Sequence, residues 1–218
     1  ESLGFSMGAA SACVFSHREK RIVTTVHGDD FASSGPKVSL DWLREQLKAK
    51  YELVEQARLG PGQHDDTEAR VLNRIVRWTP EGLEYEADPR QGEKVVLDLG
   101  LEGANSVATP GVKATRDVVE ADQELPEYKH TAFRGIAARG NYLAADRPEI
   151  QFSCKEICRW MANPSEHGVT ALKRLGRFLE GHKRVVFKHP FQEAEKIDTY
   201  SDTDWAGCLR TRKSTSGG

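Results

Sequence analysis

The chain has 218 residues, of which 38% are hydrophobic and 29% are charged, and its formal net charge is −2. This composition is typical of a globular protein with one or two domains, and no stretch approaches the roughly 18 apolar residues that a membrane span needs. The four cysteines lack the two-residue spacing of zinc ribbons. We therefore expect a soluble, reduced, intracellular protein that does not bind a membrane, and the start Glu1-Ser2-Leu3 suggests a fragment of a longer chain.

The first predicted elements lie in the stretch RIVTTVHGDDFASSG. Residues 21 to 27 are rich in β-formers and predict a strand. The adjacent Asp29 and Asp30 fall at a turn, after which residues 31 to 34 are expected to return antiparallel. Two like charges at a turn call for an explanation, because neighbouring carboxylates repel each other.

Helical and hairpin patterns follow along the chain. A helix is predicted over residues 39 to 50, where leucines share one face and Ser39 is a candidate N-cap. Residues 71 to 87 predict a hairpin around the turn sequence TPEG. The next helix is expected to begin at Asp88 as N-cap and to end at Gly100.

The second half of the chain is predicted to be largely helical. Three periodic patterns indicate helices around residues 133 to 143, 150 to 161 and 169 to 179. After them, RVVFKHP and IDTYSDTDW predict two further strands, at residues 184 to 190 and 197 to 205.

Charge is distributed unevenly. Residues 129 to 189 contain 12 lysines and arginines against 5 acidic residues, whereas residues 1 to 128 contain 15 against 23. A local basic segment in an otherwise acidic chain is expected of a protein that contacts a polyanion. A solvated helix face explains the same surplus equally well.

The aspartate pair has a possible chemical role. A divalent cation screens two neighbouring carboxylates, and Mg²⁺ binds through one or two carboxylates together with substrate phosphates. Taken alone the pair is weak evidence, because Asp65 and Asp66 repeat it in what reads as a polar loop.

Several stretches, in this order, resemble the C-terminal half of the reverse transcriptase of copia-type retrotransposons. They are LGFSMGAASACVF (residues 3 to 15), VHGDDF, the block from 86 to 111, the block from 141 to 182, and YSDTDWAGCLRTRKSTSGG (residues 200 to 218). Together they cover nearly the whole chain, and the last block carries most of the weight.

The resemblance implies an α+β fold in three parts. Residues 1 to 125 would be the C-terminal part of a polymerase palm, an antiparallel sheet with helices. Residues 126 to 183 would be a helical thumb or connection, and residues 184 to 218 the first strands of a truncated ribonuclease H-like domain.

The resemblance also implies an activity, which is RNA-directed DNA synthesis by two-metal nucleotidyl transfer with Mg²⁺ or Mn²⁺. The partners would be an RNA template, a DNA primer and deoxynucleoside triphosphates, in a cytoplasmic particle or the nucleus. Asp29 and Asp30 match the paired metal-binding carboxylates of the palm, whose third carboxylate lies upstream. Asp202 matches the first metal-binding aspartate of ribonuclease H. The basic residues that would grip the phosphate backbone are Lys173, Arg174 and Arg177.

One departure leaves alternatives open. The family usually has an aromatic and then a branched apolar residue before the aspartate pair, and this chain has His27 and Gly28. An adapted turn and a decayed element explain this equally well. An inactive retroelement relic with weak, non-specific nucleic-acid binding therefore stands beside the active polymerase. An unrelated carboxylate metallohydrolase is a third reading, supported only by its aspartates.

Overall fold

The computed structural model of the chain describes residues 3–193, 195–214 and 216–217. Over these residues the fold is α+β, as expected, with three antiparallel sheets and six α-helices. None of the described helices is long and apolar enough to cross a membrane. The chain divides into two compact units, the first ending at Arg58 and the second beginning at Leu59.

The first unit is a four-stranded antiparallel sheet followed by one helix, α1 (Lys37–Lys48). The strands lie in chain order: β1 (Ser6–Met7), β2 (Val14–His17), β3 (Ile22–His27) and β4 (Asp30–Ser34). Ile22 and Thr24 of β3 are buried, whereas Val23 and Thr25 are exposed. Because side chains alternate along a strand, only one face of this sheet is packed.

Aromatic contacts pack α1 against the covered face of the sheet. The buried ring of His17 lies between Phe5 and Trp42, with centroid distances of 5.3 and 5.5 Å and edge-to-face geometry. Lys20 Nζ lies 4.3 Å from the Trp42 ring centroid, and Leu43 is buried beneath the helix. These contacts fix the helix that follows the aspartate hairpin.

Helix α1 begins earlier than the sequence predicts. Pro36 is the N-cap, with extended dihedrals (φ −61°, ψ 142°), and its carbonyl accepts a hydrogen bond from Leu40 N at 3.0 Å. Ser39, the predicted N-cap, lies inside the first turn. The extended ψ of Pro36 starts the helix at the next residue, and proline lacks the N–H that a helix running a full turn further back would need.

A second antiparallel sheet opens the second unit. Its strands also lie in chain order: β5 (Glu68–Val71), β6 (Arg74–Thr79), β7 (Gly82–Glu86) and β8 (Val186–Pro190). The predicted hairpin is confirmed as β6 and β7. Strand β5 was not predicted, and it joins β6 through Leu72 and Asn73, whose φ values are 49° and 67°. Positive φ at both residues is typical of a two-residue hairpin turn.

Five helices follow in the second unit. They are α2 (Pro89–Asp98), α3 (Arg116–Glu120), α4 (His130–Ala144), α5 (Pro148–Cys158) and α6 (Glu166–Gly181). The Asp88 carboxylate caps α2 by accepting a hydrogen bond from Arg90 N at 3.2 Å, as predicted. The three predicted helices of the second half are confirmed as α4, α5 and α6, whereas α3 was not predicted.

The core of the second unit lies among α2, α4, α5 and α6. Val95, Ile150 and Leu175, one each from α2, α5 and α6, are fully buried there. Gly176 lets α6 approach the chain after α2, because a Cβ at this position would lie 2.7 Å from Leu101 Cδ1. Burial of these apolar side chains is the main stabilising contribution to the unit.

Polar contacts attach the second sheet to the helices. Asp146, just after α4, accepts hydrogen bonds from Arg74 Nε at 2.9 Å and from the Tyr85 hydroxyl at 2.5 Å. Buried Glu86 accepts from Arg77 and, through two bonds of 2.6 and 2.8 Å, from Arg184. The bond from Arg184 holds the pKa of Glu86 below its usual value, although burial opposes this.

Contacts of the second unit extend across the predicted domain boundaries. Strand β7 pairs with β8, and Leu125 is buried in the same core as Val95. The sequence predicted the strand at residues 184 to 190 but not its partner. The boundaries at residues 125 and 183 concern domain membership within a polymerase, and they stay predictions.

Candidate active site and nucleic-acid interface

The two aspartates lie at the tip of the β3–β4 hairpin, as predicted. His27 pairs with Asp30 across the ladder, so the turn consists of Gly28 and Asp29 alone. Asp29 and Asp30 are both exposed. The hairpin therefore presents two neighbouring carboxylates to solvent.

Gly28 explains how the chain makes this turn. Its φ is +62°, and no atom lies within 4 Å of the position that a Cβ would take. Asp29, the second turn residue, does not have positive φ. This combination is that of a type II′ hairpin turn, which favours glycine at its first position. Gly28, which replaces the branched apolar residue of the family pattern, thus suits the backbone of this turn.

The hairpin behind the tip is anchored by hydrogen bonds. Thr24 Oγ1 and Ser33 Oγ lie 2.9 Å apart on the covered face. Val26 N donates to Cys13 O at 2.8 Å, which extends the pairing of β2 with β3 towards the tip. Strand β3, which leads into the turn with the two carboxylates, is thus hydrogen-bonded on both sides, to β2 and to β4.

Carboxylates are ligands that Mg²⁺ uses in proteins, where it usually takes one or two of them together with phosphates or water. In the part of the chain that the structure describes, no group of three or more His, Cys, Asp or Glu side chains could hold a metal ion. Asp29 and Asp30 alone therefore do not form a closed metal site.

Asp202 lies in the second unit and begins the short strand β9 (Asp202–Thr203), which pairs with β10 (Ser216–Gly217). Its Oδ1 accepts a hydrogen bond from Thr203 N at 2.7 Å, and the residue is exposed. The strand predicted over residues 197 to 205 is thus only two residues long.

The three predicted phosphate-binding residues lie together on α6. Lys173 is exposed, and Arg174 and Arg177 are half-buried. We call these three residues the cationic patch. Within the described residues none of the three pairs with a carboxylate.

A loop that we call the strap, residues 103 to 111, lies against this patch. Arg174 Nη2 donates to Thr109 Oγ1 and Arg177 Nε donates to Asn105 O, each at 2.7 Å. Sequence reasoning missed both strap residues, because nothing in their spacing marks them as partners of a helix 65 and 72 residues away.

The strongly shifted pKa values belong to groups outside the predicted sites. Burial, reinforced by the bond to Asp146, raises the pKa of Tyr85 to about 12. Burial alone would raise the pKa of the Cys208 thiol, but hydrogen bonds from Thr211 and Arg210 lower it to about 7. Neither residue carries a sequence signal for function.

The chain is similar to three proteins of Arabidopsis thaliana. It is 27% identical over 194 residues to an uncharacterized mitochondrial protein, a match that covers 87% of the chain and 74% of that protein. It is 27% identical over 218 residues to the retrovirus-related Pol polyprotein from transposon RE2, covering 99% of the chain and 14% of the polyprotein. It is 34% identical over 128 residues to the corresponding polyprotein from transposon RE1, covering 57% of the chain and 9% of the polyprotein.

The chain thus spans only a small part of the two polyproteins. No protein-family model matches the chain. No solved structure matches it significantly.

Proposed function

We propose that this chain, a fragment of a copia-type retrotransposon Pol polyprotein, is the C-terminal part of a reverse transcriptase followed by the start of ribonuclease H. Residues 1 to 125 would be the C-terminal part of the palm, residues 126 to 183 the thumb or connection, and residues 184 to 218 the start of ribonuclease H. The partners would be an RNA template, a DNA primer and deoxynucleoside triphosphates.

The observation that carries this proposal is the position of Asp29 and Asp30. They lie side by side at an exposed hairpin tip, in a chain that aligns over 99% of its length with a retrotransposon Pol polyprotein. Nucleotidyl transfer requires carboxylates that hold divalent cations where substrate phosphates can reach them. An exposed tip leaves room for those phosphates.

In the whole polymerase, Asp29 and Asp30 would hold Mg²⁺ or Mn²⁺ together with a third carboxylate from the preceding sequence. The bound ions would activate the primer hydroxyl and stabilise the charge that develops on the leaving pyrophosphate. Asp202 would bind a metal in the ribonuclease H site, whose other carboxylates would come from the sequence that follows.

The experiment is a chimera in which this chain replaces the matched segment of the transposon RE2 polyprotein. We expect RNA-templated DNA synthesis with Mg²⁺, abolished by Asp29→Asn and retained by Glu19→Gln, which neutralises an exposed carboxylate at the other turn of β3. A folded chimera that synthesises no DNA, or one that tolerates Asp29→Asn, would refute the proposal. The isolated 218-residue chain is expected to extend no primer.

A second candidate is a non-catalytic retroelement relic that binds nucleic acid weakly. The match to a mitochondrial protein of which the chain covers 74% favours it, because that relative is far shorter than the polyproteins. An inactive but folded chimera that still binds an RNA/DNA duplex would support this candidate.

A further inference from the structure

The cationic patch differs in its surroundings from several other arginines of the helical region. Arg139, Arg147 and Arg159 each pair with a carboxylate. By contrast, residues 167 to 179 contain no acidic residue, and residues 103 to 115 contain one charged residue, Lys113. The patch side chains thus have no carboxylate partner among the described residues, and the nearest acidic residue along α6, Glu180, pairs with Lys183.

The strap is fixed along one face of α6. Glu180 Oε1 accepts from Gly103 N at 3.2 Å, and the arginine bonds to Asn105 O and Thr109 Oγ1 follow along the helix. Arg174, Arg177 and Glu180 are spaced three residues apart, so they lie on neighbouring turns of the same helix face. The strap therefore holds both guanidinium groups in place.

The strap holds these groups without neutralising them. Its acceptors are a hydroxyl and a carbonyl, which carry no formal charge. Arg174 Nε is buried with no hydrogen-bond acceptor among the described residues. Arg139 Nε is buried in the same way, and each such donor lowers stability, so a functional role of Arg174 rests on its orientation by Thr109.

Each arginine keeps donors that the strap does not use. Arg174 Nη1 and both Nη atoms of Arg177 make no hydrogen bond within the described residues, and none of these three atoms is buried without a partner. Lys173 adds an exposed ammonium one residue before Arg174. Fixed guanidinium donors beside an ammonium match the oxygens of a phosphate group.

We propose that Thr109 is a positioning residue, which orients Arg174 for a phosphate group that Lys173, Arg174 and Arg177 would bind together. The ligand is a phosphate group, and the proposed function makes the backbone of a nucleic acid its source. Thr109 orients Arg174, so that its free Nη1 is presented without the entropy loss of ordering a flexible side chain on binding. Free inorganic phosphate is the other source of the same chemistry.

The test uses the full chain and three variants. Thr109→Val removes the acceptor at nearly constant volume, and Thr109→Ser restores it. Thr170→Val is the matched control, because Thr170 is an exposed threonine of α6 whose hydroxyl donates to Glu166 O at 3.0 Å and not to the strap. The Arg174 side-chain N–H signals are followed by NMR during titration with inorganic phosphate at constant ionic strength.

We expect saturable shifts of the Arg174 signals in the wild type, roughly tenfold weaker phosphate binding in Thr109→Val, and recovery in Thr109→Ser. Thr170→Val should bind as the wild type does. A second arm measures binding of an RNA/DNA duplex at several salt concentrations. There Thr109→Val should lower the slope of log affinity against log salt by about 0.9, the loss of one phosphate contact.

The two arms separate this inference from the proposed function. If phosphate binds with the expected variant pattern but no duplex binds, the site stands and its assignment to nucleic acid fails. If the duplex binds and Thr109→Val changes neither its salt slope nor phosphate affinity, nucleic-acid binding stands and the positioning role is wrong. Phosphate that produces no saturable shift in the wild type overturns the site itself.

Discussion

His27 and Asp30 lie directly opposite each other across the β3–β4 ladder, so their side chains share one face of the sheet, whereas Asp29 occupies the turn. The two candidate metal ligands, Asp29 and Asp30, thus have different local environments. Asp30 has a histidine as its cross-strand neighbour, and Asp29 follows the glycine that makes the turn. Because Mg²⁺ prefers oxygen ligands, His27 is not expected in its ligand set.

The first prediction concerns Gly28. Gly28→Ala should destabilise the hairpin by about 1–2 kcal/mol, because a residue with a Cβ is strained at φ +62°. Amide hydrogen exchange of β3 is the measurement, and it should become roughly tenfold faster.

Gly135→Ala is the control with the opposite sign. Gly135 is an exposed residue of α4 with no atom within 4 Å of its Cβ position. Alanine there should slow exchange in α4, since it favours a helix by about 0.5–1 kcal/mol over glycine. Unchanged β3 exchange in Gly28→Ala would contradict the assigned turn.

The second prediction concerns metal binding at the hairpin tip. Mn²⁺ should bind weakly, on the millimolar scale of sites with few protein ligands, and should broaden the amide signals of Gly28, Asp29 and Asp30 first. Asp29→Asn and Asp30→Asn should each abolish this broadening. Glu19→Gln, at the other turn of β3, should leave it unchanged. Preferential broadening at Glu19 would mean that the tip is not the stronger site.

The sequence predicted the elements whose signals are local. The β3–β4 hairpin, the Asp88 cap of α2 and the three later helices depend on turn residues, caps and periodicity within a few positions. Strand β8 was predicted as a strand, but its pairing with β7 depends on residues about a hundred positions apart, such as Glu86 and Val186. No local pattern encodes that partner.

The same limit applies to the candidate sites. Asp29 and Asp30 stood out as like charges at a turn, but they were assigned to a metal site only because the ordered stretches resemble copia-type reverse transcriptases. The partners of Arg174 and Arg177 were missed, because Thr109 and Asn105 become neighbours of α6 only once the strap is folded against it. Strand β5 was missed because Leu72 reads as a strand residue, whereas its φ of 49° places it in a turn.

The third prediction concerns pH and Tyr85. The folded state holds the pKa of Tyr85 at about 12, through burial and the bond to Asp146, above the value near 10 of an unfolded tyrosine. The stability that this contributes is fully present below about pH 10 and is lost as pH rises towards 12, because the unfolded state then releases a proton that the folded state retains. The loss should approach at most about 1.4 kcal/mol per pH unit.

Tyr85→Phe separates this effect from other groups that titrate at high pH. The difference in unfolding free energy between the wild type and Tyr85→Phe, measured by urea denaturation, should shrink as pH rises from 10 to 12. Asp146→Asn should bring the pKa of Tyr85 closer to 10, because it removes the charged acceptor. A stability difference that stays constant over this range would contradict the shift.

The fourth prediction isolates the charge of the cationic patch from its structural contacts. Reversing Lys173, Arg174 and Arg177 together would also break the bonds to the strap, so lost binding would have two explanations. Lys173 is exposed, and the hydrogen bonds to the strap among the described residues come from Arg174 and Arg177 instead. Lys173→Glu should therefore change the unfolding free energy by no more than about 0.5 kcal/mol.

For the wild type we expect binding of an RNA/DNA duplex without sequence preference, with a Kd of roughly 1–100 μM near physiological salt. Lys173→Glu should weaken this binding and lower the slope of log affinity against log salt by about 0.9, the loss of one phosphate contact. Fluorescence anisotropy at two or more salt concentrations measures both. Lys94→Glu, an equal charge reversal at an exposed position of α2, should change the slope much less. Equal effects of the two reversals would show that binding follows net charge, and salt-independent binding would exclude phosphate contacts by this helix.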